Sequence, residues 1–329
     1  MWSRAVSRRA ENLEEYPTDM SAPSTAFASL LVKIKDAFNE ALRNEKKNVP
    51  EHVEHAPFEF DFVDSAIPNA FALAIGGRSV IGVTMPLVHL LWESCIQLSK
   101  SDAILAMLGI VPTPGRQDSV HASLFRTQLA FVVSHEYTHH VHGHAIQNSF
   151  DPPHFNEVLI VDDTGSLESQ AFEIGADGYA VYHVLAHLFD GPGRTQAVDL
   201  LGCSEAQTST QDEVLFASFV VAVGAFLFVQ PPRPLDPAKI YKRSHPPYSA
   251  RMNWIMHAAI GWCQQNRPDL EAWMNKDRFQ MLMRAVAGAT WGMNGGKDWS
   301  DQVAFLQSEP GREYVEKLDA RVKKNVESL

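Results

Sequence analysis

The spacing of apolar residues changes twice in the first third of the chain. From Leu30 to Leu42, the positions Leu31, Ile34, Phe38 and Leu42 recur every three or four residues, which predicts an amphipathic helix. Phe58–Val63, Ala70–Ile75 and Ser79–Thr84 are short runs of strand formers separated by Pro68 and Gly76-Gly77, and they predict a small sheet with a tight turn. Helical spacing then returns over Pro86–Leu98 and Ser101–Leu108. It resumes after a break at Pro112–Gly115, in a long run from about Ser119 to Ala145. A second long helix is predicted over Ser166–Phe189, stopped by Gly191-Pro192-Gly193. From Tyr248 onward the pattern is mostly helical, with turns at Pro268, Gly295-Gly296 and Pro310-Gly311. The expectation is a mainly α (α+β) fold.

Val214–Val229 is an apolar run of 16 residues without a charge. A bilayer span takes about 20, range 17–25, so the run predicts a helix buried on all sides. A membrane crossing is the alternative. Composition adds limits rather than detail. At 329 residues, 45% hydrophobic and 20% charged, the chain is ordinary globular material for one large or two modest domains. Its net charge of −11 comes without a basic stripe, which argues against nucleic acid as a partner. Cys95, Cys203 and Cys263 form no CxxC pair, against both a disulfide framework and a thiolate metal site, and a cytoplasmic location is expected. Arg4, Arg8 and Arg9 are followed by Glu11, Glu14 and Glu15 instead of an apolar stretch, so residues 1–25 read as a disordered arm and not as a signal peptide.

The long run carries His135-Glu136-Tyr137-Thr138-His139. Histidines four apart on a helix share a face, so both imidazoles can reach one Zn²⁺, with Glu136 beside it to take a proton from water. A catalytic zinc needs a third protein ligand. Glu173 and Asp177 supply a second helical pair four apart: Glu173 as that ligand, Asp177 as the hydrogen-bond partner of a ligand histidine's far nitrogen. Between them, Gly175 and Ala176 are expected to let two helices approach closely. His140, His142 and His144 are expected on the helix flank or in hydrogen bonds around the ligands.

These residues resemble the HtpX-like and CAAX-prenyl-protease-like gluzincin metallopeptidases. That family shows HExxHxxxxH, then ExxxD, then His-Pro followed by arginine. The corresponding stretches here are His135 through His144, Glu173 through Asp177, and His245-Pro246 through Arg251. Upstream, Asp64-Ser65, Asn69-Ala70-Phe71-Ala72, Gly76-Gly77 and Val80–Val83 match the family's paired strands. The likeness covers about residues 58–255. It implies a zincin-like domain with an HExxH helix, an ExxxD helix and a small edge sheet, placed at residues 26–265, with residues 266–329 as a helical extension packed on it. It also implies that Asn69, Ala70 and Phe71 border the cleft where a peptide adds as a strand, that His144 and Asp177 brace the ligands, and that His245 and Arg251 polarise the substrate carbonyl or hold the oxyanion. Two features depart from the family: extra residues before HExxH, and no span as clear as those of its membrane-embedded members.

The expected activity is zinc-dependent endopeptidase cleavage of peptides or proteins, with one Zn²⁺, metal-bound water and Glu136 as general base. One alternative is the same unit anchored in a membrane through Val214–Val229. Another is a zinc-stabilised module that captures peptides without cutting them, for which Glu136 would have no use.

Overall fold

Three strands form where the β-branched and aromatic runs lie: β1 Phe58–Val63, β2 Ala70–Ile75 and β3 Arg78–Thr84. In the computed structural model, which describes residues 25–45, 58–75, 78–142, 165–191, 193–229, 235–270, 273–291 and 296–327, they order β1-β3-β2. β1 runs parallel to β3, and β2 runs antiparallel to it. Phe71 pairs with Gly82, where a Cβ would stand 2.4 Å from the Phe71 ring, so glycine is what lets that ring cross the central strand. The residues expected to form an arm lie, except for Thr25, outside the described residues, as do Gly76 and Gly77.

The chain divides into two compact units, Met1–Leu90 with Glu136–Leu159, and Leu91–His135 with Ile160–Leu329. In the first, helix α1 (Thr25–Glu45) buries Phe27, Leu31, Ile34 and Leu42. Phe38 meets Phe60 edge to face at 5.2 Å. Asn39 closes the outer side of β1: its amide Nδ2 donates to the Phe60 carbonyl at 2.9 Å, and its Oδ1 accepts from the Phe60 N–H at 2.8 Å. A side-chain amide thereby stands in for a neighbouring strand, which blunts an edge that could otherwise recruit another chain.

The second unit is helical. Its elements are α3 (Asp102–Met107), α5 (Leu167–Phe189), α6 (Gly193–Leu201), α7 (Thr208–Leu227), α8 (Tyr248–Asn266), α9 (Lys276–Trp291), α10 (Gly296–Gln307) and α11 (Glu309–Glu327), joined in places by short 3₁₀ turns. Two of the unit boundaries fall inside α2 (Met85–Lys100) and α4 (Pro114–Val141). Ser166 caps α5 through a reciprocal capping box with Ser169. Every residue of α7 from Leu215 to Leu227 is buried. By length and composition α7 could cross a membrane, yet 83% of its apolar window is buried within the protein. It begins at Thr208 instead of Val214, because the buried Asp212 in its second turn is neutralised by Arg194 and Arg267.

α5 ends at Phe189, just ahead of Gly191 as expected, and Gly193 opens α6, where a Cβ would lie 2.2 Å from the His187 ring. Two local expectations give way. Pro310-Gly311 forms the first turn of α11 instead of a break, because the amide a proline lacks has no helical partner at that position. Gly175 does not sit at a close helix approach: a Cβ added there would meet nothing within 4 Å, and only Ala176 is buried.

Candidate metal centre

α4 carries the HExxH motif on a face that the core claims. Leu129, Phe131, Val132 and Val133 are buried one turn ahead of it, and His135, Glu136 and His139 are each 2% exposed. α5 presents Glu173 and Asp177 one turn apart, both buried. His135, His139 and Glu173 offer ligand atoms that all lie within 4.8 Å of one another. Two imidazoles and one carboxylate are the donor set of a catalytic zinc site with a position left open.

The hydrogen bonding around His135 fits that ion. Its Nδ1 is 3.0 Å from Asp177 Oδ1, and its Nε2 is 3.3 Å from Glu173 Oε2. Burial alone would push the Asp177 carboxyl up, but the Arg251 guanidinium and His135 outweigh it and hold it below the usual carboxylate range. An ionised Asp177 can only accept, so Nδ1 carries the proton. That leaves Nε2 as the ligating nitrogen, 3.3 Å from a Glu173 oxygen with which it can share a cation, and the orienting carboxylate behind a ligand histidine is the usual way to fix its tautomer.

α8 supplies Arg251, whose Nε and Nη2 donate to the two oxygens of Asp177 at 2.8 and 2.7 Å. Its guanidinium also lies 6.0 Å from the Phe226 ring of α7, which packs at 5.6 Å against Phe131 of α4. Arg251 is thus placed against Asp177, one step behind the ligand. His245, just before α8, puts Nε2 3.3 Å from Glu173 Oε2 and keeps Nδ1 2.9 Å from Ser244 Oγ. His140 turns to the sheet, 2.6 Å from Ser79 Oγ and edge-on to Phe58.

The residues expected from the sequence gather unevenly. His135, His139, Glu173, Asp177, His245 and Arg251 are tied by the contacts above. His144 lies outside the described residues. Asn69, Ala70 and Phe71 belong to β2 and its approach, where Thr84 engages the Asn69 backbone twice: the Asn69 carbonyl accepts from the Thr84 N–H at 2.9 Å and its N–H donates to Thr84 Oγ1 at 2.8 Å. Sequence reasoning passed over Phe226 as one apolar residue among many, and Gln170 and Tyr314 altogether. Tyr314 lies 144 positions beyond its partner Gln170, a separation no local pattern reports.

No match was found among curated proteins or solved structures. The sequence profile of peptidase family M48 matches residues 33–259, more than half of the chain and all of the histidine and carboxylate positions just described. On that match and the converging His135, His139 and Glu173, the chain belongs to peptidase family M48, the HtpX-like zinc metallopeptidases.

Proposed function

We propose that the chain is an endopeptidase that works with one zinc ion, held by His135, His139 and Glu173. The observation that carries this reading is the buried convergence of those three donors, with Glu136, equally buried, next to His135 along α4. Zinc, when bound, supplies a Lewis acid and makes water acidic enough to be deprotonated near neutral pH. Glu136 takes the proton from the attacking water and returns it to the leaving amine nitrogen. His245 donates a hydrogen bond to the oxyanion. Arg251 acts from behind, fixing Asp177, which in turn fixes the His135 ring.

The substrate is a protein or peptide segment that adds to the outer side of β2 along Asn69, Ala70 and Phe71. Support for that edge comes from the sheet itself. Among the described strands β2 is paired on one side only, whereas the outer side of β1 is filled by Asn39.

The Glu136→Gln variant tests the mechanism. It is expected to retain stoichiometric zinc and to cleave an unstructured protein substrate about 10²–10⁴-fold more slowly than the parent. Undiminished cleavage with zinc bound would remove Glu136 from the mechanism. Chelation should abolish cleavage in the parent and zinc should restore it, an outcome that a module capturing peptides without cutting them cannot give.

We further propose a cytoplasmic location, with α7 as a core helix. Its Phe226 packs on Phe131 one turn before the first ligand and lies beside Arg251, so taking α7 into a bilayer would dismantle the support of the metal site. In cell fractionation the protein is expected in the soluble pool. Recovery only after detergent treatment, with high salt failing to release it, would favour the membrane-anchored alternative.

A further inference from the structure

The C-terminal helix α11 lies beyond the residues that match the family, yet it reaches the helix that bears the third ligand. Tyr314, Leu318 and Ile240 share a buried cluster with Ala171 and Ile174 of α5 and Ala250 of α8. Inside that cluster sits a polar chain. The Tyr314 hydroxyl donates to Gln170 Oε1 at 2.6 Å, and Gln170 Nε2 donates to the carbonyls of Ile240 at 2.7 Å and Arg243 at 3.1 Å. Both side chains are fully buried.

The amide has one orientation that satisfies this arrangement. Two carbonyls can only accept, so the NH₂ group must face them. The amide oxygen is left to Tyr314, whose hydroxyl must donate. Burial pushes the Tyr314 phenol well above its ordinary range, so it stays a donor across the working pH. The segment held by Gln170 leads straight into Ser244 and His245, and His245 Nε2 returns to α5 at Glu173, one turn from Gln170. A second tether comes from Gly165, whose N–H donates to the Lys242 carbonyl at 2.9 Å. Any Cβ at that position would lie 1.9 Å from the Arg243 carbonyl oxygen.

We propose that Tyr314 is a positioning residue of the metal site: by orienting the Gln170 amide it fixes the 240–245 segment, and so sets how His245 stands against Glu173. The inference rests on the zinc-peptidase reading above. It gives Tyr314, which lies outside the residues that match the family, a part in the site.

The test uses the whole 329-residue chain loaded with zinc for kinetics and with Co²⁺ for visible absorption, which reports ligand geometry apart from activity. Tyr314→Phe removes one oxygen and keeps the ring. It is expected to lower kcat roughly tenfold with KM unchanged, the lower end of what outer hydrogen-bond partners contribute at metal sites, and to shift the cobalt d–d bands. Gln170→Met should do the same, and the double variant should add nothing further. If Tyr314→Phe fails to fold, Gln170→Met carries the same readouts. Leu318→Val loosens the same cluster without touching the polar chain and should leave both kcat and the cobalt spectrum as in the parent.

Parent-like bands and kcat in the Phe variant overturn the proposal, as do additive effects in the double variant or an equal shift in Leu318→Val. A parent protein that binds neither cobalt nor zinc sinks the zinc-peptidase reading itself. The two failures are therefore distinguishable.

Discussion

Glu173→Ala is expected to emerge from purification with little or no zinc and without measurable hydrolysis, while keeping the parent's fold. Removing a hydrogen-bond partner of a ligand typically weakens metal binding 10–100-fold, and removing a ligand should exceed that. The more telling readout is stability. In the zinc-free parent, Glu173 is a buried carboxylate facing the Nε2 atoms of His135 and His245 at 3.3 Å. Its desolvation is compensated in full only when a cation shares the site. The zinc-free variant should therefore be at least as stable as the zinc-free parent. Zinc at 100 times its Kd should then stabilise the parent by about 2.7 kcal/mol and leave the variant unmoved. Thermal melts with and without zinc, paired with metal analysis, read both effects. A variant that still binds zinc stoichiometrically, with a melting shift equal to the parent's, would exclude Glu173 as a ligand.

Much of this site was legible in the sequence because its logic is local. His135 and His139 are four apart on one helix, as are Glu173 and Asp177, and helical geometry alone turns each pair to one face. The strands were legible for a similar reason: short runs of strand formers with turn residues between them leave little choice. What local spacing could not give was the role of residues that meet across the chain. Arg251 looked like a substrate contact, since an arginine after His-Pro says nothing of which carboxylate it will find; in the fold it clasps Asp177, 74 positions earlier. Asn39 carries no signal of a strand-edge cap until β1 is placed beside α1. The α6 helix was hidden because glycine and proline read as breakers, when Gly193 is needed to make room for His187. The length of the apolar run of α7 favoured a buried helix, yet composition alone left a membrane span as the alternative. Burial of 83% of its apolar window, and Phe226 against Phe131, are tertiary facts.

The same long-range pair carries the largest expected effect on stability. Arg251 is only 1% exposed and Asp177 is fully buried, and two hydrogen bonds join them. Taking the guanidinium away strands a carboxylate in the core, for which the penalty is about 3–5 kcal/mol. Arg251→Met, similar in length but uncharged, should therefore lower the urea midpoint of the zinc-free protein sharply. Removing both charges should behave differently, because a buried ion pair exchanged for apolar side chains of similar volume is often neutral or stabilising. Arg251→Met combined with Asp177→Leu is thus expected to recover most of the lost stability. Function should not recover with it. Without Asp177 the His135 Nδ1–H loses the acceptor that turns Nε2 toward the ion, and zinc affinity should stay 10–100-fold below that of the parent. Stability and metal binding would then part in one double variant: the fold tolerates an apolar replacement for the pair, whereas the metal requires the charge. If the double variant regained zinc affinity along with stability, the pair would be a packing element only, and the chain of contacts from Arg251 through Asp177 to His135 would have no part in holding the ion.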